Sequence, residues 1–226
     1  MQWVWENFSA IWGYTLDHIG LSVPAIVIGF FLSIPLGYWA SRSRVARSIL
    51  LSVFSILYTL PALVLFVTVP VALGLAILNP NNVIVALTIY AMAIMIRSAN
   101  DAFGSVSADV RESARAIGYS AVQRFFRVEL PLAGPVLLAG VRVVSVSTVS
   151  LATVGGFIGI PSLGNLFQTG FQIHFFPELW AGIVAVLLVA AVFDLVISGL
   201  GRLLMPWNRG RTRSLATRMV AKQVIA

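Results

Sequence analysis

The chain has 226 residues, a length that would suit one or two soluble domains. Its composition excludes that class, because charged residues make up only 10% of the chain, whereas a soluble domain carries about 25%. Hydrophobic residues reach 59% and the mean hydropathy is +0.94, so too few polar residues remain to cover a water-soluble core. The sequence therefore predicts an integral membrane protein. The absence of cysteine excludes disulfide bonds and thiolate chemistry.

The predicted elements are helices, which we take in chain order. Tryptophans in residues 1–19 predict an interfacial helix on the outer surface of the membrane. Five mostly apolar stretches of about 20 residues follow, the length that a spanning helix needs. Residues 1–206 thus form a transmembrane domain, with a polar cytoplasmic loop at 98–130, and a basic tail occupies 207–226. The spans are predicted at about 20–40, 48–70, 83–100, 132–154 and 179–203.

Two segments interrupt this simple pattern. Residues 48–78 are uncharged for longer than one straight span requires, so we expect a kink near Pro61, as a plain bend or as a gate hinge. The stretch GGFIGIPSLGN at 155–165 is glycine-rich like a phosphate-binding loop, but it lacks the Gly-Lys-Ser/Thr that such a loop needs. It favours an external re-entrant or gate-lining segment that includes Gly155 and Gly156.

The distribution of basic residues predicts the orientation in the membrane. Every Lys and Arg except Arg142 falls in one of three segments, 41–48, 97–130 and 202–226. The opposite side carries acidic residues and no basic ones. Because cytoplasmic segments concentrate positive charge, we expect the N-terminus outside and the C-terminus in the cytoplasm. The net charge of +7 is thus an orientation signal, and nucleic-acid binding is a poor alternative.

The loop at 98–130 is predicted to contain two short helices. For the first helix, Asp109 is the expected N-cap, with Glu112 three residues later. Gly118 is expected to end it in the left-handed conformation that glycine tolerates. Ser120 and Gln123 form a capping box that opens the second helix.

The second helix is predicted to carry an exposed apolar face. It presents Phe125 and Phe126, which need a protein groove to bury them. Pro131 is then expected at the first turn of the next span, where its missing N–H costs little.

The loop sequence RESARAIGYSAVQRFFRVELP resembles the EAA loop of bacterial ATP-binding-cassette importer permeases. That pattern is Glu-Ala-Ala, three residues, Gly, nine residues, then Ile-x-Leu-Pro. Ser for Ala at 113 and Val for Ile at 128 are mild departures from it. The matching positions are Glu112, Ser113, Ala114, Gly118, Val128, Leu130 and Pro131.

Further segments are similar to the osmoprotectant permeases of this class, which serve glycine betaine, carnitine and choline. They include YTLPALVLF and VGGFIGIPSLGNLF, and the likeness spans roughly residues 15–206. The resemblance implies a five-helix type I importer permease, like that of the methionine importer, in the bacterial inner membrane. It also implies that the loop forms a coupling segment seated on an ATPase subunit. The residues expected to couple to that ATPase are Glu112, Ser113, Ala114, Gly118, Phe125, Phe126, Leu130 and Pro131.

The resemblance implies partners as well. They are a second permease chain, the same or a sister, two ATPase subunits that hold ATP and magnesium, and an external solute-binding protein. The permease itself would be no enzyme and would hold no cofactor. His18 and His174 lack neighbouring ligands, so we expect no metal site.

Two charges lie well inside the predicted spans. Arg142 lies about 16 Å beyond Pro131 along the fourth span, and Asp194 about 12 Å before Arg202 along the fifth, at 1.5 Å per residue. Both therefore reach a similar depth from the cytoplasmic side, and each is costly there unless paired. We expect an intramembrane ion pair, the alternative being that Arg142 snorkels and Asp194 faces water.

The function predicted from these observations is the membrane permease of an ATP-driven osmoprotectant importer. One alternative is the same architecture for another small solute, such as methionine. The other is an ion-gradient-driven carrier or channel, against which the lack of an inverted repeat and the single acid in the spans both argue.

Overall fold

The computed structural model describes residues 2–74, 76 and 78–208, and within them the fold is all-α. Four helices are long and apolar enough to cross a membrane, or five spans exist if the bent pair α3–α4 counts as one. A π-helical turn at Phe125–Glu129 and 3₁₀ turns at Thr153–Ile158 and Pro206–Asn208 complete it. The helices are α1 Gln2–Glu6, α2 Phe8–Arg42, α3 Arg44–Thr59, α4 Ala62–Leu73, α5 Pro80–Gly104, α6 Ala108–Ala116, α7 Ala121–Arg124, α8 Leu130–Ala152, α9 Gly164–Gln172 and α10 Phe176–Leu204.

The predicted boundary between an interfacial helix at 1–19 and a first span at 20–40 is wrong. Helix α2 runs unbroken for 35 residues, through both Gly20 and Pro24. His18 explains part of this continuity, because it is fully buried and its Nε2 lies 2.9 Å from the carbonyl oxygen of Val149 on α8. Packing against the bundle thus keeps the segment helical where local signals suggested a break. Most of the predicted basic tail, residues 209–226, lies outside the described residues.

Helices α2 and α5 form the centre of the bundle and lie unusually close together. At Gly29, an added Cβ would stand 2.7 Å from the Cβ of Ala91 on α5. At Gly37, it would stand 3.0 Å from the backbone nitrogen of Asn100. Small residues permit this approach, as they do at many membrane helix interfaces. Helix α8 packs against both α5 and α2, and α10 lies at the periphery with most of its apolar side chains exposed.

Candidate functional site

The first helix of the polar loop starts earlier than predicted. Ser107 is its N-cap, and the Ser107 hydroxyl accepts a hydrogen bond from the Val110 backbone N–H at 3.4 Å. The prediction of Asp109 as N-cap is therefore wrong, and Asp109 instead lies in the first helical turn. Ser107 serves as the N-cap because its backbone has the extended conformation that a cap requires, with φ −60° and ψ 150°. Glu112 and Ser113 are exposed on this helix, whereas Ala114 is buried.

Gly118 makes the turn between the two loop helices. Its φ is +90°, the left-handed conformation expected from the sequence. The Tyr119 N–H donates to the carbonyl of Ala114 at 3.0 Å, which satisfies the end of α6. Ser120 and Gln123 then form the predicted capping box, with bonds of 3.0 and 3.3 Å. The direction of α7 is thus determined by one glycine and two polar side chains.

The second loop helix is continuous with the fourth span. Pro131 lies in the first turn of α8, as expected from the sequence, but residues Ala121–Ile158 form one helical run without a break before it. The π turn at Phe125–Glu129 explains how the helix passes the proline. It inserts an extra residue per turn, and the Leu130 N–H donates to the carbonyl of Phe125, five residues back. A π turn thus rearranges the backbone hydrogen bonds just before a residue that cannot donate one.

The two phenylalanines of the loop point in different directions. Phe125 is half-buried inside the bundle, with ring centroids 4.9 Å from Tyr38 and 5.6 Å from Phe103. Phe126 is 61% exposed, as is Val122 at 66%, one helical turn before it. The Phe125 ring therefore packs against α2 and α5, while an ATPase contact for Phe125 stays a prediction. We call Val122 and Phe126 the docking face.

A buried carboxylate fastens this loop to the first long helix. Glu129 is fully buried and accepts hydrogen bonds from Arg42, at the end of α2, and from Arg124, at 2.8 Å. Because the π turn adds one residue to the helix, it brings Arg124 and Glu129, five positions apart, onto one face. The Arg42 guanidinium also lies 4.9 Å from the centre of the Tyr38 ring. We call Arg42, Arg124 and Glu129 the clamp.

Sequence reasoning missed the clamp, although one signal was available. An acidic residue directly before the apolar pair Leu130 and Pro131 stands where a carboxylate would be costly unless paired. Leu130 and Pro131 are both half-buried at the start of α8. Leu130 packs against the core cluster that contains Ile26 of α2, and an ATPase-coupling role for Leu130 and Pro131 stays a prediction.

The predicted intramembrane residues come together in the structure. Arg142 Nε donates to one carboxylate oxygen of Asp194 at 2.6 Å, and Arg142 Nη2 donates to the other at 2.8 Å. This two-bond fork joins α8 to α10. The side chains of Arg142 and Asp194 remain 47% and 32% exposed, so the pair lies on an open face of this chain.

The helix break near Pro61 is larger than a kink. Helices α3 and α4 differ in direction by 109°. Leu60 is extended, with φ −67° and ψ 137°, as a residue before proline prefers. The Tyr90 hydroxyl donates to the Leu60 carbonyl, which the break has left without a helical partner. We call this corner the elbow.

The glycines proposed for a gate have a packing role in the structure. Gly155 and Gly156 are buried in the 3₁₀ turn that follows α8. A Cβ at Gly156 would stand 2.6 Å from the backbone nitrogen of Asn165 on α9. Only glycine therefore lets α9 lie against this turn. A gating role for Gly155 and Gly156 stays a prediction.

An open polar groove links the ion pair to the elbow. One cavity of about 420 Å³ contains Arg142 and Asp194, and a second of about 510 Å³ lies beside Tyr58, Leu60 and Tyr90. The two share Val146 and Ser147 on α8 and therefore adjoin each other, and together we call them the polar groove.

Comparison with known proteins identifies relatives of the whole chain. The family described as binding-protein-dependent transport system inner membrane component matches residues 25–210. The choline transport system permease protein OpuBB of Bacillus subtilis is 28% identical over 96% of this chain and 98% of its own length. The osmoprotectant import permease protein OsmY of Salmonella typhimurium is 30% identical over 84% of this chain and 80% of its own length.

Solved structures share the fold. The inward-facing MetNI methionine ABC transporter superposes with a TM-score of 0.77 at 18% identity, covering 87% of this chain and 97% of its counterpart. An amino acid ABC transporter solved with histidines gives a TM-score of 0.67 at 16% identity. The all-α fold of a type I importer permease, predicted from the sequence, is confirmed by this likeness.

Proposed function

Because the chain belongs to the family of inner membrane components of binding-protein-dependent transport systems, we propose that it is the permease of an ATP-driven osmoprotectant importer. The protein lies in the bacterial inner membrane, and its family is a transport component. Its solute in this proposal is a small quaternary amine such as glycine betaine, choline or carnitine. The relatives, which include choline and osmoprotectant permeases, support that solute class.

The observation that carries the ATP-driven part is the geometry of the loop. Glu112 is exposed on α6, and the docking face, Val122 and Phe126, is exposed on α7 and the following π turn. Exposed apolar side chains on a short, well-capped helix pair favour burial in a groove of a partner protein. In the proposal this partner is an ATPase subunit, which holds ATP and magnesium. The clamp then transmits its movement to α2.

The polar groove supports a path for the solute. Charged residues inside a membrane domain are costly against lipid and usually face water or a partner. The groove has Arg142 and Asp194 at one end and the elbow at the other. We propose that a second permease chain closes this side and that a binding protein delivers the solute from outside.

Uptake by the reconstituted complex tests the proposal. Proteoliposomes would contain this chain with its ATPase and binding-protein partners, and uptake of radiolabelled glycine betaine, choline, carnitine and methionine would be compared. We expect ATP-dependent uptake of at least one quaternary amine and none of methionine. A complex with an ATPase that cannot hydrolyse ATP is the control.

Each alternative gives a different result in the same assay. Methionine uptake without quaternary-amine uptake would show that the proposed solute class is wrong and would leave the proposed ATP-driven mechanism intact. Uptake that proceeds without ATP and stops when ionophores collapse the ion gradients would replace the mechanism with that of a gradient-driven carrier.

A further inference from the structure

The polar groove contains an aromatic pair at its elbow end. The rings of Tyr58 on α3 and Tyr90 on α5 meet edge to face, with centroids 5.8 Å apart and planes at 76°. Tyr90 is 3% exposed, and its hydroxyl is already engaged by the Leu60 carbonyl. Tyr58 is 47% exposed and forms part of the cavity wall. One ring is therefore fixed in the wall while its neighbour remains accessible.

The surroundings of Tyr58 contain oxygen atoms and no unpaired cation among the residues that line the two cavities. Ser147 and Ser150, which carry hydroxyls, line the cavity, as does Leu60, whose carbonyl accepts the Tyr90 hydroxyl. Arg142, at the far end of the groove, has two of its nitrogens bonded to Asp194. Arg97 donates to the Ser55 hydroxyl at 3.1 Å, one helical turn before Tyr58, and is not among the lining residues. Among the groups that do line the cavity, a positive ligand meets π electrons and partial negative charges.

This chemistry suits a cation that cannot donate hydrogen bonds. A trimethylammonium group has no N–H, so it gains from aromatic faces and from contact with oxygens, while a primary ammonium ion demands three acceptors. The cavity volume of about 510 Å³ is also in the range of small-ligand sites, which is about 300–1,000 Å³.

We propose that the Tyr58–Tyr90 end of the polar groove is a transient binding site for the quaternary ammonium group of the solute within the membrane domain. The inference rests on the proposed function and adds a place where the solute stops on its way. One open ring, in place of a closed aromatic cage, makes the site weak. A weak site is what a path requires, because the solute must leave as readily as it enters.

The test measures the cation preference of the cavity without requiring transport. The chain has no cysteine, so Ser150→Cys introduces one thiol into the cavity wall. In the full complex, this thiol is reacted with a methanethiosulfonate that carries a trimethylammonium group and with a neutral methanethiosulfonate of similar size. The ratio of the two rates reports the preference for the cation.

Substitutions at Tyr58 then show how much of the cation preference comes from the aromatic ring and how much from the charge of the groove as a whole. We expect Tyr58→Leu to lower the rate ratio about threefold to tenfold, while Tyr58→Phe keeps it, because phenylalanine preserves the π face. Trp39→Leu, which removes an aromatic ring that is 58% exposed elsewhere on α2, is the control and leaves the ratio unchanged. Added choline should slow the trimethylammonium reagent in the chain with Tyr58 and not in Tyr58→Leu.

The outcomes distinguish this site from the proposed function. If Tyr58→Leu keeps the wild-type rate ratio, the site is refuted, even when the wild-type complex imports a quaternary amine. If the wild-type complex imports no quaternary amine, the proposed function fails, whatever the ratio shows. A lowered ratio in Tyr58→Leu together with slower quaternary-amine uptake by Tyr58→Leu than by Tyr58→Phe supports both.

Discussion

Glu129 is the carboxylate on which the junction of α2, α7 and α8 depends. It is fully buried, and both of its oxygens are bonded to arginine side chains, from Arg42 and Arg124. Removal of one member of a buried ion pair leaves its partners uncompensated, at a cost of roughly 3–5 kcal/mol. Loss of the Glu129 charge would therefore leave both arginines of the clamp without their partner.

Glu129→Gln should lower the free energy of unfolding by about 3 kcal/mol, because the amide keeps the shape and loses the charge. The thermal midpoint of the purified protein in detergent measures it. Glu112→Gln makes the same chemical change at an exposed position of the same loop and should shift the midpoint very little. Equal midpoints for both variants would contradict the clamp.

The pair of Arg142 and Asp194 is open to a second test at the residue scale. Arg142→Asp and Asp194→Arg should each impair uptake by the reconstituted complex, because each leaves two like charges side by side. The double swap should recover part of the loss. Independent, additive losses without recovery would mean that the two residues act separately.

The sequence could predict the Arg142–Asp194 pair and could not predict the clamp. Depth along a straight span follows from the rise per residue, so two intramembrane charges at similar depth can be matched by counting. Arg42 and Glu129 are separated by 86 intervening residues, and their contact depends on how the end of α2 packs against the loop. The contact of Arg124 with Glu129 also depends on a π turn, which no local sequence pattern predicts.

At the scale of elements, the α6–α7 pair depends on the turn at Gly118. A Cβ at this position would meet no atom within 4 Å, so the cost of a side chain comes from the backbone φ of +90° alone. Gly118→Val should therefore cost about 1–2 kcal/mol locally and misdirect α7, which weakens co-purification of the ATPase subunit.

Gly104→Val is the matched control for this turn. Gly104 also has open space around its Cβ position, but its φ is not left-handed. Gly118→Asn should be intermediate, since asparagine tolerates the left-handed region better than valine does. If Gly118→Val binds the ATPase as well as Gly104→Val does, the turn does not position the docking face.

Phe125 and Phe126 give a second pair of matched variants. Phe126→Ala should reduce ATPase binding with little change in the thermal midpoint, because the ring is 61% exposed. Phe125→Ala should lower stability by about 2 kcal/mol, since it leaves a gap between Tyr38 and Phe103. Both effects would be measured on the same preparations, by pull-down and by thermal unfolding. The reverse assignment of the two effects would remove Phe126 from the docking face.

Sequence patterns located most of the helices and misplaced several of their ends. Hydropathy reveals a long apolar run, and a capping box is visible as Ser120 with Gln123, so these features could be predicted. The prediction placed Pro131 correctly in the first turn of α8, but it missed that α7 continues into α8 through a π turn. It also understated the break at Pro61, where the chain turns through 109°. The size of that break depends on a tertiary contact, because the Tyr90 hydroxyl donates to the Leu60 carbonyl at the elbow.

At the scale of the whole molecule, the orientation in the membrane is a prediction that the chain itself makes easy to test. Cysteines placed at Asn81 and Gln172, both exposed, should react with an impermeant thiol reagent added outside intact cells. A cysteine at Ser105, next to the loop, should react only after the membrane is opened. The opposite pattern would reverse the orientation and separate the loop from any cytoplasmic ATPase.

The elbow has a consequence for how the molecule deforms under load. Helices α2 and α5 are in contact through glycine and alanine, and the clamp ties α2 to the loop, so this half of the bundle is stiff. The corner between α3 and α4 has no continuous helical ladder and is the compliant part. Strain applied at the loop would therefore concentrate at the elbow, where Tyr58 lines the wall. We therefore expect a displacement of the loop to change the width of the polar groove before it changes the packing of α2 against α5.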